Sequence, residues 1–180
     1  MSTVNTNAIL RSADERVIFR KSGAIIQSKR AAYYTSTYQN TSQGSLYDMP
    51  GNLGDGTASI SPHFANSKIL FTSLIQCGCE TTWRGNYFRT YYKIGSGSWT
   101  QFEGTSASIL WCNTNGVART IKSTYLLSSL NTTSTVYFKI SHIGHQSGGY
   151  LHLNENSTTG SNSGNEGSVA SCIFLQEVAQ

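Results

Sequence analysis

Two cysteines one residue apart, Cys77 and Cys79, are the first residues of this sequence whose type and spacing could carry chemistry. They could form half of a metal site, a redox pair, or two small apolar side chains on one strand. A structural zinc site needs cysteine or histidine pairs, spaced by two to four residues, from two separate segments. The other cysteines, Cys112 and Cys172, stand alone in distant segments. The pattern therefore favours buried, reduced thiols over a metal or redox site.

A disulfide between Cys77 and Cys79 is disfavoured by strand geometry. Residues i and i+2 of an extended strand point the same way and lie about 6.5–7 Å apart. Bridged cysteines have Cα atoms within about 6.8 Å and Cβ vectors that converge. A disulfide from either thiol to Cys112 or Cys172 across a sheet stays open as an alternative.

Three of the four histidines, His142, His145 and His152, fall in or between two predicted strands that a Gly-Gly turn connects. Imidazoles gathered at one hairpin could bind zinc or titrate near neutral pH. Glu155 is the nearby carboxylate. We expect a solvated hairpin face without a metal, and a metal site is the alternative.

Signatures of catalysis are missing from the sequence. It contains no G-x-S-x-G nucleophile elbow, no phosphate-binding loop and no dinucleotide fingerprint. Nine carboxylates are present, but their spacing does not single out a glycosidase pair. We therefore expect no enzymatic activity, no catalytic residues and no cofactor.

Aromatic side chains are the stronger indication of binding. Trp83, Tyr87, Tyr91 and Trp99 cluster around one predicted hairpin. Flat rings can stack on sugars, and Tyr and Trp are enriched in protein interfaces. Packing in the core or between subunits is the favoured interpretation, and an exposed binding surface is the alternative.

The elements that position these residues are predicted to be strands. Only 12% of the residues are charged, about half of the usual ~25%, and Ser, Thr, Asn and Tyr supply the polarity. Such a composition suits a secreted, virion or fibrous β-protein better than a cytosolic metabolic enzyme. A length of 180 residues fits one domain, or one domain with a short arm.

Apolar residues alternate with a period of two along roughly eight to ten segments, and helical periodicity is nearly absent. Segment 45–62 is predicted as a loop that leads into a short strand around Ala58–Ile60, and segment 117–130 is ambiguous between strand and helix. The pattern predicts an all-β fold, a jelly-roll-like antiparallel β-sandwich with a short N-terminal arm. In the strongest strand, "SKILFTSLIQCGCE", one face is predicted to carry Ile69, Phe71, Ser73, Ile75, Cys77 and Cys79.

The charge is concentrated at the N-terminus. Residues 1–30 carry six basic and two acidic side chains, a net charge of +4 that equals the net charge of the whole chain. Apolar residues such as Ile9, Val17 and Phe19 are interleaved with these charges, which disfavours nucleic-acid binding. We predict that residues 1–24 form an arm that docks on another protein and that residues 25–180 form the sandwich domain. A first strand with an ordinary solvated face is the alternative.

The order of several segments carries a resemblance to a known group. "KSGAIIQ" is followed by "ASISPHFANSKILFTSLI", the aromatic "YFRTYYKI", "STVYFKISH", "GGYLHLNEN" and the final "GSVASCIFLQEV". This order resembles small β-rich virion structural proteins and tail-fibre-like domains of tailed phages, notably marine phages and cyanophages. The resemblance covers about residues 20–180 and defines packing positions without catalytic residues. The Cys-x-Cys motif and the charged arm depart from it.

The resemblance implies a non-enzymatic subunit on the virion exterior that decorates or adapts the capsid, tail or baseplate. The expected partners are further copies of the chain, as a homotrimer, and other virion proteins through the arm. A receptor- or glycan-binding tail-fibre tip that recognises the host surface is the alternative. The start of the sequence has no signal peptide, and no window reaches the ~18 apolar residues of a membrane span. We expect synthesis in the host cytoplasm and no membrane insertion.

Overall fold

A computed structural model describes residues 10–11, 17–18, 22–79, 86–102, 108–110, 119–128, 130–144, 149–154 and 170–180. Across these residues the chain forms fourteen strands, a short 3-10 helix at Gly51–Leu53 and no α-helix. None of the helical structure in these ranges is long and apolar enough to cross a membrane. The strands are β1 (Leu10–Arg11), β2 (Val17–Ile18), β3 (Ile25–Tyr33), β4 (Thr37–Thr41), β5 (Leu46–Asp48), β6 (Ala58–Ile60), β7 (Lys68–Cys79), β8 (Asn86–Ile94), β9 (Thr100–Gln101), β10 (Ser108–Leu110), β11 (Arg119–Leu127), β12 (Val136–Gly144), β13 (Gly149–Leu153) and β14 (Ser171–Val178).

The strands form two six-stranded sheets and a separate two-stranded pair of β1 with β2. The first sheet contains β3, β4, β7, β11, β13 and β14, and the second contains β5, β6, β8, β9, β10 and β12. From β6 to β8 and again from β10 to β13, the chain crosses repeatedly from one sheet to the other. Every pairing of these strands is antiparallel. The predicted jelly-roll-like antiparallel β-sandwich is confirmed.

In each sheet, one side of a long strand pairs with two shorter strands that lie end to end. One side of β7 pairs with β11, while its other side pairs first with β14 and then with β13. In the second sheet, one side of β12 pairs with β8 and the other with β5 and β6. Because two short strands take the place of one long strand at these positions, there are more strands than the roughly eight to ten that the sequence predicts.

Two segments differ in detail from the sequence-based predictions. Residues 25–33 form one continuous strand, β3, in which Lys29 and Arg30 lie exposed. β5 lies inside the predicted loop, since its three residues pair with β12. The ambiguous segment is the strand β11, which pairs with β7 over nine residues. Ala58–Ile60 is a short strand as predicted.

The core is built from the alternating faces of the two central strands. Ile69, Phe71 and Ile75 of β7 are almost fully buried, as are Phe138 and Ile140 of β12. The rings of Phe71 and Phe138 join the two sheets with centroids 5.5 Å apart. Burying each such side chain contributes about 1.5–3 kcal/mol. The predicted inward face of the strongest strand is confirmed from residue 69 to residue 77.

Candidate binding face and buried polar contacts

The two cysteines whose side chains are described are buried thiols outside any disulfide. Cys77 belongs to the inward face of β7 and to the core. Cys172 points to the outer face of its sheet, because its neighbour Ile173 points into the core. The sheet therefore separates the two thiols. The side chains of Cys79 and Cys112 lie outside the described residues.

The predicted histidine face is not formed by His142 and His152. β12 carries His142 in the second sheet, and β13 carries His152 in the first sheet, so these strands are not paired neighbours. His142 points inward, whereas His152 points away from the core residues Leu151 and Leu153. His145 lies outside the described residues. Within the described ranges, no three His, Cys, Asp or Glu side chains are grouped so that they could hold a metal.

His142 instead joins the two sheets. Its Nε2 lies 2.8 Å from Oε1 of Gln39 on β4, and its ring stacks on Tyr47 with centroids 5.6 Å apart. Burial lowers the pKa of His142 to about 4, although the nearby Asp48 carboxylate raises it in part. The imidazole is therefore neutral at pH 7 and donates its Nε2 proton to Gln39.

Acidification is expected to weaken the fold through His142. Because the pKa is about 4 in the folded chain and 6.5 as the ordinary value, the unfolded chain binds the proton first. Stability from the neutral ring is complete above pH 6.5 and declines toward pH 4, where the loss reaches about 3 kcal/mol. Urea unfolding of the wild type and H142Q from pH 7 to pH 4 measures this. Parallel pH curves for the two proteins would contradict the assignment.

The outer face of the second sheet carries alternating aromatic and cationic side chains. In register across β8 and β12, Tyr91 lies opposite Lys139, and Lys93 lies opposite Tyr137. Three aromatic residues singled out from the sequence therefore lie outside the core, half-buried, while Trp83 lies outside the described residues. We call this surface the aromatic–lysine face and define it by Tyr87, Arg89, Tyr91, Lys93, Trp99, Tyr137, Lys139 and Ser141.

The indole of Trp99 is held between two ammonium groups. Nζ of Lys93 lies 4.9 Å from the Trp99 ring centroid, and Nζ of Lys139 lies 5.1 Å from it. Each cation–π contact contributes about 0.5–2 kcal/mol. Gly56 has a φ of +80°, and a Cβ there would lie 2.8 Å from the indole, so the ring packs directly against this backbone. Trp99 is therefore fixed in position.

The charges of the aromatic–lysine face are unevenly paired. Nζ of Lys139 lies 2.8 and 2.9 Å from the two Asp48 carboxylate oxygens, and the Lys139 side chain is only 15% exposed. Ser141 donates its hydroxyl to the same carboxylate at 2.6 Å. Arg89 and Lys93 form no ion pair with any carboxylate in the described part of the chain. Among the described residues, the face therefore has two cations without an ion pair beside half-buried rings. Nζ of Lys93 lies 5.2 Å from the Tyr137 ring centroid, and Nζ of Lys139 lies 5.6 Å from the Tyr91 ring centroid.

The outer face of the first sheet carries several apolar side chains between polar ones. Leu126 is 52% exposed and lies opposite the half-buried Leu70. Leu74 lies four residues further along β7, beyond Thr72, and Phe174 of β14 lies opposite that threonine. We call the three leucines and Phe174 the leucine face. Its flanking charged side chains include Lys122 of β11, opposite Leu74 in the register.

Asn154 connects β13 and β14, the two strands that pair with the same side of β7. The residue is 3% exposed and has a φ of +58°. Its amide nitrogen donates to the carbonyls of Tyr33 at 2.7 Å and Thr35 at 3.3 Å. Its Oδ1 accepts from the backbone N–H and hydroxyl of Ser171 at 2.9 and 2.6 Å. The Ser171 hydroxyl oxygen in turn accepts from the backbone N–H of Gln76. No local sequence pattern indicates these contacts.

Glu177 is the second buried polar centre that the sequence does not indicate. Its carboxylate is fully buried and accepts from the backbone N–H groups of His63 at 2.9 Å and Phe64 at 3.2 Å. Gln27 donates to it at 2.7 Å, and Nδ1 of His63 lies 3.0 Å away. Burial raises the pKa of Glu177, but hydrogen bonds from Ser67, Gln27 and His63 outweigh it and leave the pKa below its ordinary value. The carboxylate thus ties the β6–β7 loop to β14.

Comparison with known proteins gives no match to a protein-family model and none to a curated protein. Solved structures superpose loosely on the chain. A structure of the infectious bursal disease virus Gx strain overlaps 94% of this chain and 41% of its own, at 10% identity and a TM-score of 0.40. A VP2 subviral particle of the same virus overlaps 90% and 39%, at 9% identity and a TM-score of 0.39. The chain thus spans about two fifths of those chains, and likeness at this level assigns no function.

Proposed function

We propose that this chain is a non-enzymatic structural subunit on the exterior of a tailed-phage virion, where it decorates or adapts the capsid, tail or baseplate. The leucine face is the observation that carries the proposal. Leu126, Leu70 and Phe174 present apolar side chains beside the threonines of the same face, and exposed apolar side chains gain stability when another protein covers them. A lattice or ring of subunits supplies that cover.

The buried polar groups support a scaffold role. Asn154, Glu177 and His142 each bond to a different strand or loop, and each contact joins elements that are distant in the sequence. Such groups hold the sandwich in one arrangement and do not converge on a common substrate position. These contacts therefore suit a rigid structural subunit.

Self-association as a homotrimer is part of this proposal. A heterologous interface that repeats with three-fold rotation closes into a ring. The leucine face is the apolar surface that we assign to this contact, and partial burial of Leu126 would stabilise it by the transfer of apolar area from water. Sedimentation equilibrium of the wild type and L126E, with S96E in the exposed turn after β8 of the second sheet as the control, tests the assignment. A trimer that persists in L126E would contradict it.

Docking through the N-terminal arm is tested by truncation. Gly23 and Ala24 hydrogen-bond to Ala179, so we place the truncation at residue 21 and leave these bonds intact. The shortened chain is expected to keep the melting temperature of the full chain within a few degrees, because β3 begins at Ile25. It is expected to be absent from purified virions, as measured by quantitative mass spectrometry. Normal incorporation would show that the arm does not dock the subunit.

The aromatic–lysine face favours a second candidate function, recognition of a glycan on the host surface. Its half-buried rings and the cations Arg89 and Lys93, which form no ion pair in the described ranges, resemble the lining of a ligand site more than a solvated sheet face. A tail-fibre or tip module would present such a face to the host. Adsorption of virions to host cells, with and without substitutions on this face, tests this function.

A further inference from the structure

We propose that the aromatic–lysine face binds an acidic saccharide, with its carboxylates held by Arg89 and Lys93 and a sugar ring packed on Tyr91 between them and on the neighbouring Tyr137. The proposal rests on the second of the two functions proposed above, and it specifies the chemical class of the ligand.

The charge of the face selects an anionic ligand. The Asp48 carboxylate neutralises Lys139, which leaves Arg89 and Lys93 without an ion pair in the described ranges. A planar guanidinium binds a carboxylate through two parallel hydrogen bonds, and an ammonium binds it as a point charge. Both cations are partly covered by neighbouring side chains, which strengthens their attraction for an anion relative to bulk water.

The spacing of the rings selects a ligand with apolar surface between its charges. Arg89, Tyr91 and Lys93 point to the same side of β8, so the tyrosine lies about 6.5–7 Å along the strand from each cation. Tyr137 lies opposite Lys93 on β12 and extends the ring surface sideways. The C–H faces of a pyranose ring pack on aromatic rings, while its carboxylates reach the flanking cations. A small inorganic anion would leave the rings unused.

The face is rigid before any ligand arrives. Its residues lie on the paired strands β8 and β12, and Trp99 is fixed between Lys93, Lys139 and the backbone of Gly56. The Asp48 carboxylate anchors Lys139 through its contacts with Nζ and with Ser141. A preorganised site loses little side-chain entropy on binding.

Two other occupants fit the charges less well. Duplex DNA is held by many phosphate contacts, about 6–10 in well-studied proteins, and this face offers three cations of which one is already paired. A second copy that approached with its leucine face would bring Lys122 and Arg30 and no described carboxylate. An acidic saccharide supplies carboxylates that pair with Arg89 and Lys93, and its pyranose ring packs on the tyrosine rings of the face.

The test compares matched acidic and neutral polymers. Polygalacturonate, hyaluronate and polysialic acid are immobilised beside their carboxyl-methylated forms, and binding of the full chain is measured. At least one acidic polymer is expected to bind about 10-fold or more tightly than its methylated form, because esterification removes the carboxylates. Equal binding of every acidic polymer and its ester would overturn the proposal, as would equally tight binding of duplex DNA.

Matched variants locate the site. R89Q/K93Q is expected to weaken binding of the acidic polymer about 10-fold or more, whereas R119Q/K122Q removes the same charge from β11 and is expected to change it less than about 2-fold. Equal losses in both variants would overturn the assignment to this face. Unfolding midpoints of both variants, measured in parallel, show that the fold is retained.

Failure of the ligand assignment can be told apart from failure of the receptor function. If R89Q/K93Q virions lose adsorption to host cells but no acidic polymer binds, the acidic saccharide is wrong and a receptor function of the face survives. If adsorption is unchanged, both are wrong. Incorporation of R89Q/K93Q into virions, measured separately, reports on the structural role alone.

Discussion

Replacing Asn154 with alanine is expected to lower the free energy of unfolding by about 3–5 kcal/mol. The substitution removes the acceptor for the backbone N–H of Ser171, a fully buried residue, and the donor to the Tyr33 carbonyl. Each buried polar group left without a partner costs about 1–3 kcal/mol. Alanine at position 154 must also adopt the left-handed backbone conformation, which costs about 1–2 kcal/mol. Urea unfolding at pH 7 measures the sum.

Asn131 provides a matched control for the backbone cost. It has a φ of +47°, but its side chain is exposed. N131A is therefore expected to lose only about 1–2 kcal/mol, the cost of the left-handed conformation without the buried hydrogen bonds. N154G, which tolerates the positive φ, is expected to remain well below the wild type. A loss in N154A no larger than that in N131A would contradict the role assigned to the Asn154 amide.

Replacing Glu177 with alanine is expected to cost about 3–5 kcal/mol, since several buried donors lose their acceptor at once. The backbone N–H groups of His63 and Phe64 and the amide of Gln27 all point at this carboxylate. E177Q is expected to cost less, about 2 kcal/mol, because its amide keeps one acceptor but sets an N–H group against donors. Urea unfolding at pH 7 measures both losses.

Hydrogen exchange separates a local effect from a global one. In E177A, the amides of residues 63–67 are expected to exchange faster than those of the central strand β7, since the carboxylate accepts from two backbone N–H groups of the β6–β7 loop. Q176A, the outward neighbour with a single 3.4 Å contact to Ser28, is expected to change stability by less than about 0.5 kcal/mol. Unchanged protection of the loop in E177A would contradict the anchoring role.

The carboxylate also predicts a second acid transition. The pKa of Glu177 is lowered from the ordinary value of 4.5, so the unfolded chain binds the proton more readily. Its stabilisation is complete above pH 4.5 and is lost as the pH falls through the folded-state pKa. The His142 contribution declines at higher pH, between 6.5 and 4, so E177Q and H142Q are expected to flatten different parts of the pH–stability curve.

Much of the sandwich could be predicted from local pattern. In β7 and β12, Phe71 and Phe138 belong to rows of buried residues spaced two apart, and a period of two has one physical outcome when one face must be buried. The same alternation places Tyr91 and Lys93 together on one face of a half-buried strand, but that Tyr91 lies opposite Lys139 and Lys93 opposite Tyr137 required the pairing of β8 with β12.

Alternation of apolar and polar residues with a period of two determines which side of a strand faces the hydrophobic core and which faces solvent. Residues close together in the chain are enough to determine this orientation. Asn154, His142 and Glu177 bond to partners that lie 121, 103 and 114 positions away in the chain, and only the tertiary structure assigns these partners. An asparagine that follows a strand has the same local signature whether it bonds to neighbouring strands, as Asn154 does, or faces solvent in a loop, as Asn131 does. Likewise, a glycine-rich connection can return into the same sheet or cross to the other one. The crossing after β12 separates His142 from His152, since the second sheet already fills both sides of β12 with β8, β5 and β6.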